Sequence, residues 1–133
     1  MSCVNVFPVL KLCSNSYIPS PDWIVVSLLT QKERGVFGSL PNEIIRPILT
    51  EGLPSNESVR RAALTVAYYL QNGNRVVIRC HDGTERSALI GAIVYGMITD
   101  SDAITSIRRI RKLYGSDVIN SNTQINQIKR ILH

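Results

Sequence analysis

The sequence predicts a single α/β domain in which helices flank a mostly parallel central sheet of about four strands. Two observations indicate this class. Short runs of β-branched and other apolar residues alternate with longer runs that repeat at the spacing of an amphipathic helix. The chain has 133 residues, of which 44% are hydrophobic and 19% charged, as in an ordinary globular protein. That length suffices for one hydrophobic core, so we expect residues 1–133 to form one domain.

The first part of the chain is predicted to supply two strands and two short helices. Val4 to Leu12 is a first strand, partly broken by Pro8. Trp23 to Leu29 is predicted as a buried strand because its apolar run is continuous. Gln31 to Gly38 and Pro41 to Arg46 are predicted as short helices, the second with proline in its first turn.

The rest of the chain is predicted to be mainly helical around one central strand. Ser55 to Leu70 has a capping serine and apolar residues at helical spacing. The strand Arg75 to Ile78 follows, and then a helix, Ser87 to Ile98, that is apolar on nearly all faces and therefore belongs in the core. Two more helices complete the chain, one capped by Asp100 or Ser101 and running to about Leu113, and one from Ser121 to Leu132.

The loop between the central strand and the core helix contains Cys80-His81-Asp82-Gly83-Thr84-Glu85-Arg86-Ser87. A short loop entering a helix N-terminus can direct successive backbone N–H groups into one concavity, where the helix dipole favours a phosphate and a thiolate at Cys80. Gly83 permits a tight turn. Arg86 offers a planar fork for two phosphate oxygens, and Ser87 can donate a hydrogen bond to the sulfur. The pattern predicts a thiolate nucleophile in a phosphate cradle.

This Cys-x5-Arg-Ser pattern resembles the signature of the cysteine-dependent protein tyrosine and dual-specificity phosphatases, and the similarity extends from about Trp23 to the C-terminus. The resemblance implies a phosphomonoester hydrolase with a cysteinyl-phosphate intermediate. In it Cys80, Arg86 and Ser87 are catalytic, and Glu51, in the segment Pro47 to Pro54, is the general acid. The resemblance further implies that Gln124 positions water and that the cradle consists of His81, Asp82, Gly83, Thr84, Glu85 and Arg86.

The chain departs from the family pattern at several positions. Arg79 stands where the family usually has histidine, and Glu51 where it usually has aspartate. The cradle is acidic, which resembles the Cys-x-Asp-Gly-x-Asp-Arg loop of the myotubularin lipid phosphatases and makes Glu85 a second candidate acid. We expect Asp82 to point outward or to pair with an arginine. A phosphoinositide or an RNA 5′-phosphate therefore remains an alternative substrate.

The cysteines and histidines argue against a metal, a cofactor or a disulfide framework. The three cysteines are odd in number and irregularly spaced. We expect Cys3 and Cys13 to be small apolar residues, or one of them to be a resolving thiol for Cys80. His81 and His133 lack ligand spacing. The sequence shows no signal-peptide pattern and no run long enough for a membrane span, so we expect a cytoplasmic protein.

The formal net charge of +5 suggests the kind of partner. Arginines cluster at three places that are predicted to form a basic rim, which would attract phosphorylated or acidic substrates: Arg60-Arg61, Arg75 to Arg79, and Arg108-Arg109-Arg111-Lys112. We expect a monomer that acts on phosphorylated proteins, at phosphotyrosine and also at phosphoserine or phosphothreonine if the cleft is shallow. Nucleic-acid binding is weakly supported, because aromatic residues make up only 6% and do not interleave with the basic runs.

Two alternatives belong to other functional classes. A phosphate-binding pseudo-phosphatase would keep Cys80 and Arg86 but turn over poorly, because of Arg79 and a displaced acid. A rhodanese-like sulfurtransferase also places a loop cysteine before a helix. The arginine followed by serine favours phosphate over that reading.

Overall fold

A five-stranded sheet forms the centre of the computed structural model, which describes residues 3–14, 19–33, 42–48, 54–81, 85–115 and 117–132. The strand order is β1-β2-β5-β3-β4, and all neighbours are parallel except β1 and β2. The predicted α/β class with a mostly parallel sheet is confirmed, with five strands rather than about four. The strands are β1 (Cys3–Phe7), β2 (Leu10–Ser14), β3 (Ile24–Ser27), β4 (Glu43–Ile45) and β5 (Val76–Cys80).

Four long helices pack around the sheet: α1 (Asn56–Gln71), α2 (Glu85–Thr99), α3 (Ala103–Tyr114) and α4 (Asn122–Leu132). Ser55 caps α1 as predicted, because its Oγ accepts a hydrogen bond from the Ser58 amide at 3.1 Å. The cap of α3 is Asp102 rather than Asp100 or Ser101, since the Asp102 carboxylate accepts from the Thr105 amide at 2.8 Å. Residues 31–33 are helical, and the rest of the predicted helix Gln31 to Gly38 lies outside the described residues.

The hydrophobic core lies on the face of the sheet that α2 covers. This helix packs against the other three helices and against β2 and β5, as expected from its apolar surface. Gly91 allows a close approach to the sheet, because a Cβ at this position would lie 2.7 Å from a Leu12 methyl carbon. A side chain there would force either Leu12 or the helix to shift.

Two predicted elements in the first part of the chain are wrong. Val4 to Leu12 is a hairpin of β1 and β2, because Pro8 and Val9 form a turn that pairs Phe7 with Leu10. Within Pro41 to Arg46, β4 replaces the expected helix. The Val25 amide donates to the Asn42 carbonyl, and the Arg46 amide donates to the Ser27 carbonyl, so pairing with β3 overrides the local helix signal.

The hairpin also changes the interpretation of two cysteines. Its antiparallel register places Cys3 directly opposite Cys13, and the two form a disulfide. The expectation that they are thiols, one of them a resolving partner for Cys80, is therefore wrong. Cys13 packs with Trp23 and Val77 on the face of the sheet away from α2. None of the helices in the described part of the chain is long and apolar enough to cross a membrane.

Candidate active site

The carboxyl ends of the parallel strands meet at one edge of the sheet, where ligands of open α/β sheets commonly bind. Strand β5 ends there at Cys80, and α2 begins there at Glu85. Because side chains alternate along a strand, Cys80 faces the core with Ile78, while Val77 and Arg79 face the other side. Cys80 is fully buried by the surrounding protein atoms and, among the described cysteines, is the one that forms no disulfide.

Ser87 lies directly beside this thiol. The first turn of α2 brings the Ser87 hydroxyl to 3.0 Å from the Cys80 sulfur, where it donates a hydrogen bond. Both side chains are completely buried. This geometry suits a hydroxyl that stabilises negative charge on sulfur; its part in catalysis stays a prediction.

Arg86 is held by a bidentate ion pair. Its Nη1 and Nη2 donate to Oε1 and Oε2 of Glu33, each at 2.8 Å. Nη1 also lies 3.2 Å from the carbonyl oxygens of Leu28 and Ile48. These contacts come from the residue directly after β3, from the segment after β4 and from residues 31–33, so several segments fix one guanidinium near the end of β5.

Glu33 was not among the predicted site residues. Thr30 and Glu33 form a capping box, in which the Thr30 amide donates to Oε1 at 2.9 Å and the Glu33 amide donates to Oγ1 at 3.4 Å. Hydrogen bonding to Arg86, reinforced by Thr30 and opposed by partial burial, lowers the pKa of Glu33 to about 2. The Thr-x-x-Glu spacing was visible in the sequence as a capping signal, but its link to Arg86 depends on the tertiary fold.

The Arg79 side chain points to the opposite face of the sheet from its neighbour Cys80. It is only 2% exposed, and its Nη2 lies 3.8 Å from the Glu43 carboxylate on β4. The alternation of the strand places this pair on the face of the sheet opposite Cys80. Arg79 therefore does not face solvent, although it is a charged residue on a strand.

The other predicted site residues are placed unequally. His81 is exposed just after β5, and Glu85 is exposed on the first turn of α2. Gln124 lies half-buried in the first turn of α4, where its backbone N–H donates a hydrogen bond to Ser121 Oγ at 3.2 Å. Asp82, Gly83 and Thr84 of the cradle lie outside the described residues, as does Glu51.

Gln127 is a second residue that the sequence did not single out. Its side chain is nearly fully buried, and its Nε2 donates to the Pro54 carbonyl at 2.7 Å and to Asn56 Oδ1 at 2.9 Å. It therefore connects α4 to the start of α1, directly after the segment that contains Glu51. Its place on the buried side of α4, one turn from Gln124, was the available signal.

Known structures share this fold, whereas sequence comparison finds no relative: no family model matches the chain, and no curated protein matches it. The active form of Tk-PTP superposes with a TM-score of 0.74 at 16% identity, over 98% of this chain and 96% of that one. A human tyrosine phosphatase-like serine/threonine/tyrosine-interacting protein gives 0.77 at 12% identity, over 96% and 93%. PTPMT1 in complex with PI(5)P gives 0.70 at 15% identity, over 96% and 92%. The chain has the fold of the tyrosine and dual-specificity phosphatases.

Proposed function

We propose that this chain is a cysteine-dependent phosphomonoester hydrolase whose substrates are phosphorylated proteins. The observation that carries the proposal is the arrangement around the end of β5. A buried cysteine accepts a hydrogen bond from Ser87, and the next residue back, Arg86, is fixed by Glu33. A nucleophile, a donor to its sulfur and a preset cation thus come from one strand–loop–helix segment.

In the first step the Cys80 thiolate attacks phosphorus, the sulfur–phosphorus bond forms and the bond to the leaving oxygen breaks. A carboxylic acid, Glu51 or alternatively Glu85, gives its proton to that oxygen. Arg86 has five N–H donors, and we assign its Nε–Nη2 edge to the phosphate while Glu33 holds the Nη1–Nη2 edge. With the loop amides it stabilises the transferring phosphoryl group.

In the second step water attacks the cysteinyl-phosphate and the sulfur–phosphorus bond breaks. The same carboxylate takes the proton from water, which we propose Gln124 orients. Ser87 donates to the departing sulfur. We expect Ser87→Ala to slow this step about tenfold, because a hydrogen bond to a charged group contributes about 1.5 kcal/mol or more. Rapid-quench measurements should then show accumulation of the phosphoenzyme, and an unchanged burst would assign Ser87 a structural role only.

The proposal is tested by hydrolysis of para-nitrophenyl phosphate across pH, with wild type, Cys80→Ser, Glu51→Gln and Glu85→Gln. Its leaving group is good, so a weak general acid does not hide a working nucleophile. Activity should disappear with Cys80→Ser. The glutamate variant that loses the alkaline limb of the pH profile identifies the acid.

Two other outcomes would change the assignment. Binding of tungstate by a folded wild type without turnover would indicate a phosphate-binding module, a reading that the phosphatase-like interacting protein among the similar structures supports. Faster hydrolysis of inositol phosphates than of phosphotyrosine peptides would favour a lipid substrate, which the PI(5)P complex of PTPMT1 supports.

A further inference from the structure

Half of the predicted basic rim is engaged in contacts within the protein. Arg79 is buried with Glu43, and Arg75 pairs with Asp22 and lies 5.1 Å from the centre of the Trp23 ring. Arg109 donates to the Val6 carbonyl, and Arg111 to the carbonyls of Val118 and Ile119. Within the described residues, four other basic members of these clusters are exposed: Arg60 and Arg61 on α1, and Arg108 and Lys112 on α3.

Arg60 and Arg61 line a groove of about 900 Å³ along the outer face of α1. The groove is basic at one end and apolar at the other. We call it the α1 groove and define it by Arg46, Arg60, Arg61, Leu64, Tyr68 and Met97. Arg60, Leu64 and Tyr68 form one stripe because they are spaced four residues apart. Leu64 is 52% exposed and Tyr68 60%, so an apolar surface is presented to solvent.

The basic end of the groove lies near the candidate active site. Arg46 directly follows β4, and two residues later the Ile48 carbonyl accepts a hydrogen bond from Arg86. Helix α1 begins after the segment that contains Glu51 and runs away from this edge toward β5. The arginines are therefore at the site end, and Tyr68 and Met97 at the far end.

The basic end of the groove carries net positive charge, and hydrogen bonds hold one of its arginines in place. Arg46 is ordered by hydrogen bonds from Nε to Thr65 Oγ1 at 3.0 Å and from Nη1 to the Ile45 carbonyl at 2.8 Å. Glu57 pairs with Arg61 at 3.4 Å and offsets one of the three arginines. A ligand of the α1 groove should therefore carry negative charge where it contacts the basic end.

We propose that the α1 groove docks a segment of the substrate protein that has acidic side chains toward the active site and apolar side chains further away. The claim that the occupant is a substrate rests on the proposed function. From Arg60 to Tyr68 the stripe spans about 12 Å, which matches about four extended residues or two helical turns. A concave surface of this length fits a peptide segment better than it fits a flat anionic membrane.

Direct binding tests the groove without any catalysis. The probes are fluorescein-labelled, unphosphorylated dodecapeptides with a Glu/Asp block next to a Leu block, in both orders, and versions with Lys replacing the acids. Fluorescence anisotropy with wild type, Arg60→Glu and Leu64→Ala should show at least tenfold weaker binding to both variants, and weaker binding as salt rises. The Lys peptides should not bind.

The matched controls lie on α3. Arg108→Glu reverses an exposed arginine, and Ile104→Ala truncates a residue that is 44% exposed. Both should bind the acidic peptides like wild type, and thermal unfolding should show that all variants fold. Equal weakening by the α3 and α1 variants, or no binding to wild type, would overturn the proposal. Binding to phosphatidylserine vesicles in place of the peptides would also overturn it.

Catalysis then separates the two proposals. A phosphotyrosine peptide joined to the better acidic–apolar segment should have a lower KM than the same phosphopeptide alone, and Arg60→Glu should remove the difference. Peptide binding without hydrolysis would contradict the proposed function and leave the groove standing. Hydrolysis with no effect of the added segment and no anisotropy change would refute the groove alone.

Discussion

Two buried arginines lie on either side of Cys80 in the sequence, and their surroundings differ. Arg79, just before Cys80, lies with Glu43 at 3.8 Å where both side chains are almost inaccessible, at 2% and 3% exposure. Arg86 makes two 2.8 Å bonds to Glu33, whose side chain is 20% exposed. The first pair is buried on the face of the sheet opposite Cys80, and the second lies at the edge where β5 ends. We therefore expect Arg79 to act on stability and, under the proposed function, Arg86 to bind phosphate.

Replacing each arginine by lysine should give the largest contrast. A lysine keeps the charge but loses the planar fork that can hold Glu33 and phosphate together. We expect Arg86→Lys to lower kcat/KM by roughly a hundredfold to a thousandfold, as when an anion-stabilising donor is lost. Arg79→Lys should change kcat/KM only a few-fold. Steady-state kinetics with para-nitrophenyl phosphate measures both, and equal losses would remove the distinction.

Removing the charge of each glutamate should separate stability from activity. Glu33→Gln should lower the free energy of unfolding by on the order of 3 kcal/mol, the value of a pKa shift from 4.5 to about 2. Glu43→Gln should cost about 3 kcal/mol as well, because it removes a buried negative charge that faces the Arg79 guanidinium. Only Glu33→Gln should also lower kcat/KM, about tenfold. Urea unfolding measures the stability loss of both variants, and kinetics on the same samples shows whether only Glu33→Gln loses activity.

The Glu33 pair should also give a defined pH dependence. Its carboxyl titrates near 2 in the folded protein and near 4.5 when unfolded, so the unfolded state binds more protons between these values. The stabilisation is therefore complete above about pH 4.5 and is lost as the pH falls toward 2. The stability difference between wild type and Glu33→Gln should fall to roughly half near pH 3. A difference that stays constant from pH 6 to pH 3 would contradict the ion pair.

Replacing both members of a pair by apolar residues should have the smallest effect on the free energy of unfolding. A buried ion pair exchanged for residues of similar volume is often neutral in stability. Arg79→Met combined with Glu43→Leu should therefore recover most of the stability lost in Glu43→Gln and keep most of the activity. Arg86→Met with Glu33→Leu should recover stability without activity. A double-mutant cycle in unfolding free energy, with kinetics, tests both statements.

Prediction from sequence succeeded where the signal is local. The capping serine and helical spacing of Ser55 to Leu70 gave α1 to within one residue at each end, and the continuous apolar surface of Ser87 to Ile98 placed α2 in the core. It failed where pairing between strands decides. β4 forms because Glu43–Ile45 lies beside β3, and the β1–β2 register, not cysteine spacing, brings Cys3 to Cys13.

The candidate site divides in the same way. The order Cys80, Arg86, Ser87 between a strand and a helix is a property of one short segment. The sequence alone determined that Ser87, on the first turn of α2, would lie beside Cys80. The partners of the arginines were decided by tertiary structure. Glu33 lies 53 residues before Arg86, and Glu43 reaches Arg79 only through β3 and β4. Local spacing sets the direction of neighbouring side chains, whereas contacts across the sheet depend on strand order and register, which no local pattern encodes.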